Sequence, residues 1–237
     1  MSPQATARRN IVIAIDGPAA SGKSSTAQWV ARKLAIVHVD SGSLYRAATA
    51  VQLQQRQEPE AWTAAGVLRG VTRISFTAAD GSFAPLIDGA PCDELLRGEE
   101  VTREVSRVAR MQPVREWVNT QVRLAADSRD VVVDGRDMGT VVFPDASLKV
   151  FLVADPWERA RRRLIQRLSR HPADQEIAEE TEAIVRRDAR DATQTVQAGD
   201  AVLIDTTYLT QEEQVERIVA LAKAVTQRPS GTSTVDG

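Results

Sequence analysis

The chain has 237 residues, 43% of them hydrophobic, enough to bury one sizeable core with a small insertion riding on it. Its 30 lysines and arginines face 32 aspartates and glutamates, a formal net charge of -2 that argues against a general binder of nucleic acid. The lone cysteine, Cys92, excludes an internal disulfide, a thiolate metal cluster and a Cys-pair redox motif, and fits a reducing cytoplasm.

Behind Arg8 and Arg9 the apolar run Ile11–Ile15 is too short for a signal sequence or a membrane span, so a cytoplasmic protein with no membrane partner is expected. That run reads as a first strand, followed by a helix over Ser24–Leu34, a weaker strand at Ala35–Val39 and a helix over Leu44–Gln55. Val71–Thr77, the turn at Asp80 and Gly81, and Ala84–Asp88 before Gly89 read as short antiparallel strands, and Thr102–Ala109 as a helix leading the chain back. Further on come a helix at Val114–Ala126 and strands at Val131–Val133 and Leu148–Val153. Helices at Pro156–Leu168 and Gln175–Arg187, a strand at Ala201–Ile204 and a helix at Gln211–Val225 complete the series. Strands that are apolar on both faces and alternate with helices predict an α/β, three-layer fold with a five-stranded parallel sheet flanked by helices. In such a sheet the ligand sits beyond the carboxyl ends of the strands. Residues 1–66 and 111–226 are expected to form the core, with a helical lid at about 159–190 inside it. Residues 67–110 are expected to form a small antiparallel β insertion, and 227–237 a disordered tail.

Gly17-Pro18-Ala19-Ala20-Ser21-Gly22-Lys23-Ser24, placed between strand and helix, fits the phosphate-binding P-loop pattern, with Ser25 continuing the first turn. The glycines let backbone amides face phosphate oxygens, Lys23 adds a cation on the β and γ phosphates of ATP, and the Ser24 hydroxyl can ligate Mg2+. A carboxylate is needed beside the metal's water shell. Asp16, Asp40 and Asp134 all stand at or just beyond strand ends; Asp16 acting through water is one such arrangement, and a loop or capping role is open to each.

These segments together with Val39–Arg46, Val133–Asp145 and Glu158–Arg163 resemble the bacterial cytidylate kinases over roughly residues 10–225. The resemblance implies phosphoryl transfer from ATP to CMP or dCMP by a monomer. It places Arg46, Arg136 and Arg187 on the acceptor phosphate, and Ser106, Arg115 and Asp137 on the cytosine. Ser41 and Asp191 join the acceptor side, Arg159 and Arg163 stand near ATP, and Arg187 and Arg190 stabilise the transferring phosphates with Lys23 and Arg136. Charge logic agrees with this division: two anions forced together need fixed cations between them, and a carboxylate at Asp137 accepts from the cytosine amine but faces the uracil carbonyl. For Arg46 an ion pair with Asp40 is the structural alternative, and for the stripe Arg159, Arg163, Arg167 and Arg170 a solvated helix face.

The chain departs from the family at Gln194, where a further arginine is usual, and in a connection shortened before Ala201. One fewer cation predicts weaker monophosphate binding or an altered ribose preference. Gln194→Arg is expected to lower the Michaelis constant for CMP by about threefold to tenfold, read by steady-state kinetics. Other readings are a kinase of the same architecture acting on UMP or a small metabolite, and an ATP-binding switch without an acceptor.

Overall fold

The computed structural model describes residues 10–79 and 81–226; the tail expected from 227 onward lies outside the described residues. In chain order the elements are β1 (Val12–Asp16), α1 (Lys23–Leu34), β2 (Val37–Asp40), α2 (Ser41–Leu53), α3 (Ala64–Gly70), β3 (Ile74–Ala79), β4 (Ser82–Ile87) and β5 (Ala90–Pro91). They continue with α4 (Asp93–Arg97), α5 (Glu99–Ala109), α6 (Gln112–Ala126), β6 (Val131–Asp134), β7 (Leu148–Val153), α7 (Pro156–Leu168), α8 (Asp174–Asp191), β8 (Val202–Asp205) and α9 (Gln211–Thr226).

Within an eight-stranded sheet the five parallel strands of the core run β2-β6-β1-β7-β8, so the first strand is central and hydrogen-bonded to neighbours on both edges. Its alternation sorts side chains between two layers. Ile13 and Ile15 pack with α1 and α9 through Val30, Val215 and Ile218, whereas Ala14 faces α2 and α6 through Leu44, Val118 and Val122. Both faces of β1, β6 and β7 being covered explains why these strands read as unbroken apolar runs, whereas β8 at the sheet edge is largely exposed. The aspartates that follow those runs, Asp16, Asp40, Asp134 and Asp205, complete the strands at their carboxyl edge.

The antiparallel hairpin expected within 67–110 is present, and it extends the main sheet: β4 pairs parallel with β2, His38 opposite Ser82 and Val39 opposite Phe83. The strand begins at Ile74 because Val71–Arg73 forms a turn of 3-10 helix. Phe76 and Phe83 stack with ring centroids 5.0 Å apart, and Trp117 of α6 lies 6.3 Å from Phe76. Burying these rings against α6 draws the hairpin onto the sheet edge.

Candidate functional site

The chain leaves β1 through a loop that only particular residues can make. At Gly17, with φ +147°, a Cβ would stand 2.1 Å from the carbonyl oxygen of Leu152 on the neighbouring strand. Gly22 starts α1 at φ +87°, and the first turn of α1 carries neither an acidic side chain nor a side-chain cap. Its leading amides are therefore free to meet an anion. Lys23 is buried and folds back, donating from Nζ to the carbonyl of Pro18 at 2.6 Å and to Ser21 Oγ at 3.4 Å. Burial and the Arg136 guanidinium push its pKa well below the ordinary lysine range, a cost that an incoming phosphate would relieve. Ala20 takes a left-handed backbone at φ 57°. The Ser25 hydroxyl ties the loop to α9, donating to the carbonyl of Gly22 at 3.0 Å and to Gln211 Oε1 at 3.2 Å.

The three strand-end aspartates divide by their partners. Ser24 Oγ donates to Asp134 Oδ2 at 2.6 Å, which makes Asp134 the carboxylate beside the loop hydroxyl. Asp16, the other carboxylate expected near the metal's water shell, is engaged on both oxygens by backbone amides, from Met138 at 2.8 Å and Gly139 at 2.7 Å. They hold the turn Met138–Val142 in place, and burial pushes the Asp16 pKa up to about 6. Asp40 caps α2 by accepting from the Ser43 amide at 3.2 Å; burial and the neighbouring Asp134 raise it to about 6. A hydroxyl and a carboxylate oxygen at the mouth of a phosphate loop are hard donors of the kind Mg2+ takes, with phosphate and water completing its shell.

Beyond the loop stands a cluster of arginines short of counter-charge. Arg136 follows β6 and Gly135, donates from Nη1 to the carbonyl of Gly17 at 3.3 Å and from Nη2 to Asp191 Oδ2 at 3.4 Å, and leaves its Nε buried without a partner. Arg187 Nε lies 3.6 Å from the same Asp191 oxygen, close enough for an ion pair but without a hydrogen bond. Burial, Arg136 and Arg46 lower the Arg187 pKa to about 9. Arg46 donates to the Leu96 carbonyl at 2.8 Å and to Thr102 Oγ1 at 3.0 Å, so α2 holds the α4–α5 segment; it forms no ion pair with Asp40. Arg190 does not join the cluster. It is exposed and has neither hydrogen bond nor ion pair among the described residues, because Asp191 takes the inward position on α8.

Each arginine of the stripe on α7 is paired, and only Arg159 is buried; Arg167 and Arg170 are exposed as well as paired. Arg159 is 4% exposed and binds the carbonyls of Ala154 at 3.0 Å and Ala19 at 2.8 Å, as well as Asp188 Oδ2 at 2.6 Å. Arg163 and Arg167 share Glu180 at 3.1 and 3.3 Å, and Arg170 pairs with Glu176 at 2.6 Å. Asp188 also accepts from the Ala19 amide at 3.0 Å, so α8 rests directly on the loop. Periodicity showed the stripe; Glu180 and Asp188, which come from the facing helix, have no signal of their own in the sequence.

On the other flank, Asp137 and Arg115 form a buried ion pair, and Arg115 also donates to the Ala109 carbonyl at 3.1 Å. Burial raises the Asp137 pKa against the pull of Arg115. Ser106 Oγ is buried and unpartnered, as is the hydroxyl of Tyr45, whose ring lies 5.9 Å from the Arg115 guanidinium carbon. Ser41 donates to the Asp134 carbonyl at 2.8 Å, and the space for it exists because position 135 is glycine: a Cβ there would lie 2.6 Å from the Ser41 oxygen. This flank thus holds a buried ion pair and two hydroxyls without hydrogen-bond partners, groups that a polar ligand could satisfy.

The family described as cytidylate kinase matches residues 13–224. The chain is 41% identical over 219 residues to a cytidylate kinase of Geobacillus sp. (strain WCH70), covering 90% of this chain and 97% of that one. It is 39% identical over 230 residues to a cytidylate kinase of Chloroherpeton thalassium (strain ATCC 35110 / GB-78), covering 94% and 97%. Among solved structures, an uncharacterized protein from Eubacterium ventriosum ATCC 27560 shares the fold with a TM-score of 0.50 at 13% identity, covering 92% of this chain and 100% of that one.

Proposed function

This chain belongs to the cytidylate kinase family and transfers a phosphoryl group from ATP to CMP or dCMP, and from that premise we infer how its residues divide the work. The observation that carries the division is the contact between Arg136 and the carbonyl of Gly17 at 3.3 Å, which ties the arginine cluster to the loop that cradles the donor.

In this reading the amides from Gly17 to Ser24 and the Lys23 ammonium hold the β and γ phosphates of ATP. Arg46, Arg136 and Arg187 grip the acceptor phosphate, drawing Asp191 off to the ribose. The acceptor oxygen is already ionised, so no base is required and catalysis lies in positioning and in neutralising charge on the moving group. Bound through Ser24 and, by way of water, Asp134, Mg2+ would neutralise charge on the donor phosphates. Ser106, Arg115 and Asp137 read the cytosine edge. The segment 159–190 closes over the donor and keeps water from competing as acceptor; Arg159 and Asp188 anchor it to Ala19. Arg190 is left outside this machinery. No helix among the described residues is long and apolar enough to cross a membrane, and a cytoplasmic monomer is the working form we propose.

A coupled assay with ATP and Mg2+ tests the reading. CMP and dCMP are expected to exceed UMP and AMP in kcat/KM by about a hundredfold or more. Equal use of UMP would remove the role given to Asp137, and ATP binding without any acceptor would leave the switch reading in its place.

A further inference from the structure

His38 takes no part in the division of roles above, yet its side chain meets the most consequential carboxylate in the site. It lies on β2 opposite Val132 of β6, 7% exposed, with Nε2 2.7 Å from Asp134 Oδ1. The other oxygen of the same carboxylate accepts from Ser24 Oγ at 2.6 Å. Asp134 is therefore held from two sides, by the loop serine through Oδ2 and by the histidine through Oδ1.

The terminal torsion of an aspartate is broad, so its backbone position alone does not decide which way the carboxylate plane faces. The main chain here is already fixed, by the Ser41 hydroxyl on the Asp134 carbonyl at 2.8 Å and by the Gly135 amide on the Ile15 carbonyl at 3.1 Å. What remains free is rotation of the carboxylate, and a donor on Oδ1 removes it. A carboxylate only accepts, so the shared proton sits on Nε2 of His38. The other charged side chains acting on the imidazole are Asp40 and Arg32.

We propose that His38 is a positioning residue for the metal-facing carboxylate: its Nε2–H fixes the plane of Asp134, so that Oδ2 is presented to the water shell of the bound cation beside Ser24. The inference rests on the reading of Asp134 as the carboxylate of the magnesium shell. Partners of this kind behind a ligating group typically change metal affinity by about 10- to 100-fold when removed.

The test measures Mn2+ affinity by electron paramagnetic resonance, on the full chain with a non-hydrolysable ATP analogue bound. The variants are His38→Phe, His38→Leu, His38→Gln and Asp134→Asn, each checked for an unchanged melting curve. The expected result is weaker Mn2+ binding by about tenfold or more in His38→Phe and His38→Leu, with retention within about threefold in His38→Gln, which keeps a donor. In parallel kcat should fall, with the KM for CMP unmoved. If Asp134→Asn weakens Mn2+ while both apolar variants bind it as the parent does, His38 is core packing and the proposal is overturned. Should Asp134→Asn itself leave Mn2+ affinity unchanged, it is the role given to Asp134 that fails, and the inference goes with it.

Discussion

Arg136→Ala lowers kcat/KM for CMP by about three orders of magnitude while the affinity for ATP changes by less than about threefold. The magnitude follows from what the guanidinium does at its position. It stands between the Gly17 carbonyl at 3.3 Å and Asp191 at 3.4 Å, with a buried Nε that has no partner in the protein. A buried donor left unmatched is costly, and an acceptor phosphate is the group that would satisfy it. Burial first, and then the charges of Arg136 and Arg46, lower the Arg187 pKa to about 9, so the three guanidiniums repel one another in a desolvated site. A dianion placed among them reverses that repulsion, and more so as charge builds on the moving phosphoryl group. The substitution removes one contact to the donor loop, at the Gly17 carbonyl, but leaves Lys23 held by Pro18 and Ser21, so ATP binding is expected to survive. Steady-state kinetics with CMP varied, beside a direct titration of ATP, separates the two effects. A parallel fall in both would show that Arg136 supports the loop and not the acceptor.

Asp137→Asn is expected to narrow the preference for CMP over UMP by about a hundredfold, most of it through loss of CMP use. The carboxylate sits in a buried pair with Arg115. Asparagine has the same shape and keeps an oxygen for Arg115, so the fold should hold. It also presents an amide donor, which meets the uracil carbonyl that the carboxylate repels. Competing the two monophosphates in one reaction reads the ratio directly. If CMP and UMP lost activity by the same factor, Asp137 would be serving the architecture of the turn at Met138–Val142 rather than reading the base.

The parts of this site that lie together in the chain could be read from the chain. The loop from Gly17 to Ser24 carries its strand, its glycines, its lysine and its hydroxyl in one stretch, and the structure places them as that pattern requires. Arg136 is marked by its position after a strand and a glycine, whereas Asp137 comes only from the family resemblance. The choice between Asp16 and Asp134 could not be read in this way, because it depends on which carboxylate the amides of Met138 and Gly139 occupy, more than a hundred residues from Asp16. The same holds for α7. Its arginine spacing is visible, but whether Arg163 and Arg167 meet water or Glu180 is decided by a second helix packed across it. The hairpin was legible as a hairpin; its place on the sheet edge depends on Phe76, Phe83 and Trp117 meeting in space. Arg190 is named through the family resemblance alone; on α8 it is exposed, whereas its neighbour Asp191 is buried and faces Arg187.

The account turns on two anions held side by side, one by the loop and Lys23, the other by arginines from three separate segments. A crystal structure of the protein with CMP and a non-hydrolysable ATP analogue measures this directly. The predicted result has guanidinium nitrogens of Arg46, Arg136 and Arg187 within about 3 Å of the CMP phosphate oxygens and Lys23 turned from Pro18 to the donor phosphates. Finding the CMP phosphate elsewhere, with Arg46 and Arg136 facing solvent, would contradict it.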